Sequence, residues 1–126
     1  MINNQHILLV EDDESLQELI EKLLKNNNYI VSKAKNIAES ENLIKLFVFD
    51  LIILDVMLPD STGLDFYQNH IKDRINTPVI FLSALSDVDD RVLGLELGAD
   101  DYIGKPFDSR ELLLKIKKKY TQKTIF

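Results

Sequence analysis

The sequence predicts an α/β fold built on a parallel sheet, and three observations predict it. Five strand-like runs alternate with stretches of helical periodicity along the whole chain. Runs such as "HILLV" (6–10) and "LIIL" (51–54) are apolar at every position, which suits strands covered on both faces by helices. Acidic or polar residues stand directly after several of these runs, where a parallel sheet collects its functional groups.

The elements follow in order. After "HILLV", Leu16, Leu19, Ile20, Leu23 and Leu24 recur at helical spacing and predict one apolar face of a first helix. "NNN" at 26–28 ends it, because asparagine favours turns and tolerates left-handed backbone. "YIVSKA" is a more polar strand, expected nearer a sheet edge. Asn36 with Glu39 has the spacing of a capping box and opens a second helix through Leu43, Ile44 and Phe47. "LIIL" makes the third strand, and Ser61 or Thr62 before Gly63 starts a third helix carrying Leu64, Tyr67 and Ile71. Pro78 leads into "VIFL", the fourth strand. Ser86 with Asp89 caps a fourth helix containing Val88, Val92 and Leu95, with Gly98 as its stop. "DYIG" is a short fifth strand, and Asp108 with Glu111 caps a last helix carrying Leu112, Leu113, Ile116 and Tyr120.

At 126 residues, with 45% hydrophobic and 29% charged residues, the chain has the size and composition of one soluble globular domain. No apolar run approaches the roughly 20 residues of a membrane span. "MINNQHILLVEDD" lacks the basic flank and cleavage site of a secretory signal. Cysteine is absent, which excludes disulfides and thiolate metal sites. These features favour a cytoplasmic location. The formal net charge of -6 argues against nucleic-acid binding by bulk electrostatics. Lys115, Lys117, Lys118, Lys119 and Lys123 crowd the end of the chain and read as the solvated face of the last helix.

The strand-end rule selects Glu11, Asp12 and Asp13 after the first strand, Asp55 at the end of the third, Ser83 at the end of the fourth and Lys105 after the fifth. Several have ordinary readings when taken alone. Asp13 suits a helix cap, Ser83 a turn and Lys105 the surface. Asp55 is harder to explain, because a cap does not require a carboxylate between Leu54 and Val56. Carboxylates crowded at one edge repel one another, and a divalent cation resolves that repulsion. Oxygen donors without histidine or cysteine point to a hard ion, Mg²⁺ or Mn²⁺. With an ammonium and a hydroxyl added, the set suits phosphoryl transfer.

These residues resemble the receiver domain of two-component response regulators. The matching stretches are "ILLVEDD" (7–13), "DLIILDVMLPDSTGLD" (50–65), "TPVIFLSA" (77–84) and "GADDYIGKPF" (98–107), the last being most similar to the OmpR/PhoB-type subfamily. The resemblance implies a flavodoxin-like fold, a three-layer sandwich around a five-stranded parallel sheet of order 2-1-3-4-5. Residues 1–120 would form the receiver, and 121–126 a tail or the start of a linker to an effector domain not contained in the chain. Asp55 would accept a phosphoryl group from a sensor histidine kinase. Asp12, Asp55 and the Met57 backbone carbonyl would bind the metal, with Glu11 helping through water. Ser83 and Lys105 would hold phosphoryl oxygens, the position of Ala84 would leave room beside them, and Tyr102 would be the aromatic switch. The Lys105–Pro106 peptide is expected to be cis. A homodimer through the fourth helix, fifth strand and last helix is expected on activation, with Arg91, Asp100, Asp101, Glu111 and Lys115 on its face. Such a protein is a stoichiometric phosphoacceptor that regulates transcription, rather than an ordinary enzyme. Two departures from the family pattern stand out. Gly104 replaces a small or β-branched residue and suggests a more flexible fifth strand, and "DSTG" leaves Gly63 as the one flexible residue of its turn.

Three other readings compete. A stand-alone receiver would relay phosphate or dock on another protein. An aspartyl phosphohydrolase would place its nucleophile after the first strand with a second Asp two positions on, a spacing that "EDD" lacks. A flavin-binding protein would need a phosphate-binding loop after "HILLV". His6 and His70 read as structural or exposed.

Overall fold

A computed structural model of the chain describes residues 5–72, 75–83, 92, 96 and 101–124, the last five as backbone. Strands β1 (His6–Val10), β2 (Ile30–Ala34), β3 (Leu51–Asp55), β4 (Val79–Ser83) and β5 (Asp101–Gly104) form one parallel sheet. Its order is β2-β1-β3-β4-β5, as the resemblance implied. Strand order therefore reverses between β1 and β3, which opens a crevice at their carboxyl ends.

Side-chain alternation sorts the apolar residues into two cores. Ile7, Leu9, Leu51, Ile53, Ile80 and Leu82 face Ile20 and Leu24 of α1 (Glu14–Asn26) and Leu112 and Ile116 of the last helix (Ser109–Thr124). Leu8, Val10, Ile52, Leu54, Val79 and Phe81 point the other way. They meet Ile37 of α2 (Ile37–Leu46) and Leu64 and Phe66 of α3 (Gly63–Phe66). Both cores explain why β1, β3 and β4 are apolar at nearly every position. Each fully buried Leu or Ile contributes roughly 1.5–3 kcal/mol of transfer free energy. β2 is an edge strand, and Ile30 is exposed on it.

The helix boundaries follow the caps. Asp13 accepts the Leu16 N–H at 3.1 Å and starts α1, while Asn28 ends it with a left-handed φ of 71°. Asn36 accepts the Glu39 N–H at 2.8 Å, and Glu39 reaches back to the Lys35 N–H at 2.8 Å. Thr62 accepts from Asp65 N–H at 3.1 Å and starts α3, which continues into a π-helical turn over Tyr67–Ile71. The Lys72 N–H bonds the Tyr67 carbonyl five residues back, a spacing that apolar periodicity does not reveal. Asp108 accepts from Arg110 N–H at 2.8 Å at the start of the last helix, which runs on through Thr124, into the segment read as tail or linker.

Four expectations need correction. Leu19 is 56% exposed although its spacing puts it on the apolar face of α1. It lines an apolar groove of about 620 Å³ with Leu16, Pro106 and Phe107, because the loop after β5 stands away from that turn of the helix. Phe47 lies beyond the end of α2, half exposed and edge-on to the rings of His6 and Phe49. Lys115 and Lys119 do not belong to a solvated face. Both are half-buried; Lys115 bonds Asp101 at 2.8 Å, and Lys119 lies 3.9 Å from it. Gly63 is needed for space rather than flexibility, since a Cβ there would collide with the Asp55 carbonyl oxygen. At Gly104, by contrast, a Cβ would meet nothing among the described residues. Of the predicted fourth helix only Val92 and Glu96 are described, and both are helical; Ala84, Ser86, Val88, Asp89, Arg91, Leu95, Gly98 and Asp100 lie outside the described residues.

Candidate functional site

Parallel pairing brings the ends of four strands to one edge of the sheet. β1 runs directly into Glu11 and Asp12, and the Glu11 N–H extends the ladder to the Ala34 carbonyl at 3.0 Å. Gln17, buried on α1, donates both amide hydrogens, one to the Glu11 carbonyl at 2.9 Å and one to Ala34 at 3.1 Å. Sequence reading missed Gln17, because a glutamine among the acidic residues of a helix looks like surface. The Glu11 side chain is 1% exposed, whereas Asp12 next to it is open to solvent.

Asp55 is the last residue of β3 and is 2% exposed. Its Oδ1 accepts the Met57 N–H at 3.0 Å, and its Oδ2 accepts from Lys105 Nζ at 2.9 Å. Gly63 N–H donates to the Val56 carbonyl at 2.7 Å, and Met57 pairs with Thr62, so the loop after Asp55 folds tightly back. Met57 is half exposed, and nothing in its side chain is asked of the site. Lys105 is delivered by β5 and by its own N–H, which bonds the Ser83 carbonyl at 2.6 Å; the peptide to Pro106 is cis. Ser83 is fully buried at the end of β4. Tyr102 is buried on β5 with its ring 6.4 Å from that of Phe81.

Of the sequence-selected residues, Glu11, Asp12, Asp55 and Lys105 come together. Oxygens of Glu11, Asp12 and Asp55 lie within 4.8 Å of one another. Lys105 Nζ sits 2.7 Å from Glu11 Oε1 as well as 2.9 Å from Asp55. Burial pushes the Glu11 carboxyl up to about 7; Lys105 and the Asp13 N–H oppose that rise, and the neighbouring Asp55 adds to it. Burial works against the Lys105 ammonium too, but Glu11 and Asp55 outweigh it and hold its pKa above the usual lysine value. One ammonium among three carboxylates leaves a net negative pocket of oxygen donors. Such a donor set fits a hard divalent cation. Asp101 lies apart from this pocket and bonds Lys115, and Glu111 is exposed on the last helix.

Comparison with known proteins gives a consistent result. The family described as response regulator receiver domain matches residues 7–117. Transcriptional regulatory protein GltR of Pseudomonas aeruginosa is 44% identical over 118 residues, covering 91% of this chain and 48% of that protein. Transcriptional regulatory protein DltR of Streptococcus agalactiae is 40% identical over 119 residues, covering 94% of this chain and 53% of its own. The chain thus spans about half the length of the curated relatives it matches. The non-phosphorylated HemR receiver domain from Leptospira biflexa superposes with a TM-score of 0.84 at 41% identity, covering 91% of this chain and 93% of that one.

Proposed function

The chain belongs to the response regulator receiver domain family, phosphorylation switches of two-component signalling, and from that premise we propose that Asp55 is its phosphoacceptor. The observation that carries this is the placement of Asp55, a buried carboxylate fixed at the crevice by Met57 N–H and Lys105. An Asp55 oxygen attacks phosphorus of a phosphohistidine on a sensor kinase. The P–N bond breaks, its electron pair returns to the imidazole, and an acyl phosphate forms on Asp55. Lys105 neutralises charge on the transferring group, and the Ser83 hydroxyl donates to one of its oxygens. Asp12, Asp55 and the Met57 carbonyl would hold Mg²⁺ or Mn²⁺, with Glu11 behind them. A cation held there supplies neutralisation of phosphoryl charge. The added charge draws Ser83 and Lys105 inward, and Tyr102 passes the change to the face around β5 and the last helix.

This reading makes the protein a cytoplasmic, stoichiometric switch rather than a turnover enzyme. Relatives named as transcriptional regulatory proteins, about twice as long, support control of transcription through a DNA-binding segment outside these residues. Two phosphorylated copies would associate through Arg91, Asp100, Asp101, Glu111 and Lys115, exchanging the Asp101–Lys115 bond across a two-fold axis. Sedimentation with a phosphate mimic should then show a doubled mass, and an unchanged mass would count against association.

The direct test uses Mg²⁺ and a small phosphodonor, with intact mass as the readout. A gain of one phosphate is expected in the parent protein and none in Asp55→Asn. Labelling that persists in Asp55→Asn would remove the assignment, as would labelling that ignores removal of the metal.

A further inference from the structure

The loop between β3 and α3 is fastened within itself by Gly63 and by the Met57–Thr62 pair, and a third fastening leaves the loop altogether. Asp60, at its tip, caps α2. Its Oδ1 and Oδ2 accept the Ile37 N–H at 3.0 and 3.1 Å, and Oδ2 accepts the Ala38 N–H at 3.2 Å. Asn36 takes the Glu39 N–H. The first three N–H groups of α2, which no intrahelical carbonyl can reach, are thus all satisfied, two of them by another loop. The Ile37 N–H foremost holds the Asp60 carboxyl below its ordinary range.

We propose that Asp60 is a positioning residue for the acidic pocket, clamping the loop so that Met57 and Asp55 stay in place to hold a cation. This rests on the metal-binding reading above. Three residues before Asp60, the Met57 N–H bonds the Asp55 carboxylate directly. On the other side, α2 follows β2, whose Ala34 carbonyl accepts both Glu11 N–H and Gln17. Asp60 therefore ties the β3 loop to the same junction, residues 34–38, that holds the β1 end of the pocket. The two halves of the carboxylate cluster are joined by a route separate from the β1–β3 ladder. A tether of this kind acts on cation affinity through geometry, as hydrogen bonds behind metal ligands do.

The test is a Mg²⁺ titration followed by backbone amide NMR shifts, on the parent protein, Asp60→Ala, Asp60→Asn and Asn36→Ala. Asn36→Ala removes a cap from the same helix end without touching the loop. Asp60→Ala should weaken Mg²⁺ binding roughly three- to tenfold, at or below the low end of the ~10–100-fold that outer-shell partners typically cost. Asp60→Asn, which keeps one acceptor, should fall between. The Met57 amide should shift in Asp60→Ala before any metal is added. Asn36→Ala should lower the Tm and leave Mg²⁺ affinity as in the parent. Equal affinities in the parent and Asp60→Ala overturn the proposal, and so does an equal loss in Asn36→Ala, which would trace the effect to helix stability alone. If the parent binds no Mg²⁺, the metal-binding reading falls and this proposal falls with it.

Discussion

Lys105 Nζ donates to Asp55 Oδ2 at 2.9 Å, joining the loop after β5 to the end of β3 across fifty residues of sequence. The same ammonium lies 2.7 Å from Glu11, so it is the cation shared by two buried carboxylates. Replacing it with an isosteric apolar chain, Lys105→Met, leaves both without a counter-charge among the described residues. Breaking a buried pair costs about 3–5 kcal/mol; Lys105 keeps some exposure, so a loss of roughly 2 kcal/mol is expected in the metal-free protein. Mg²⁺ should recover much of it, and should raise the Tm of the variant more than that of the parent. Thermal melts with and without Mg²⁺ measure this directly. A variant as stable as the parent without metal would show that the pairing carries no weight.

Glu11 gives a pH dependence of definite sign. Its carboxyl is raised from 4.5 to about 7, chiefly by burial, so the folded chain holds that proton more tightly than the unfolded chain. Between those values the folded state carries more protons, and the stability of the metal-free protein falls as pH rises through the window. Below it both states are protonated, and above it both are ionised. Glu11→Gln should abolish that fall and exceed the parent in urea midpoint above pH 7. Cation binding moves the other way. Ionised Glu11 favours the cation, so Mg²⁺ affinity in the parent should tighten from pH 5 to 8 and lose that dependence in Glu11→Gln.

Asp101 behaves oppositely. Burial pushes its carboxyl up, but Lys115, the Tyr102 N–H and Lys119 together pull it below its usual value. A depressed carboxylate contributes stability that is present above its unfolded pKa of 3.8 and lost as pH falls through the folded one. Asp101→Asn should therefore flatten part of the acid limb below pH 4, its loss of stability being full at neutral pH and shrinking as the pH falls below 4. For a pair this exposed the expected effect is under about 1 kcal/mol. Urea melts at pH 3 and pH 7 separate the two cases, and equal losses at both would refute the charge interaction as the cause.

The layout of the site was legible in the sequence because it depends on strand ends. A run of apolar residues that stops at Asp55 fixes that carboxylate at the sheet edge, and the same logic places Glu11, Ser83 and Lys105. What was not legible depends on contacts between loops. Nothing local announces that Asp60 caps a helix 23 residues earlier, or that Gln17 spans two carbonyls. The exposure of Leu19 likewise depends on where the loop after β5 stands, which helical periodicity does not encode.

Gly63 shows the difference most sharply. As sequence it is the glycine of a turn, and flexibility is the natural reading. In the fold its Cα lies against the Asp55 main chain, and an added Cβ would meet the Asp55 carbonyl oxygen and carbon and crowd the Leu54 side chain. Backbone atoms cannot yield as a side-chain tip does, so Gly63→Ala must move either the start of α3 or the end of β3. Overpacking of this kind costs about 1–3 kcal/mol. Moving the end of β3 also moves Asp55, the proposed phosphoacceptor, whereas moving α3 lengthens the 2.7 Å bond from Gly63 N–H to Val56. Gly63→Ala should thus lower the urea midpoint and slow phosphorylation by a small phosphodonor at temperatures where the variant remains folded. Gly104→Ala is the matched control, since a Cβ there meets nothing among the described residues, and it should leave both unchanged. Loss of stability in Gly63→Ala with an undiminished phosphorylation rate would mean that α3 alone absorbs the displacement and that Asp55 stays where β3 puts it.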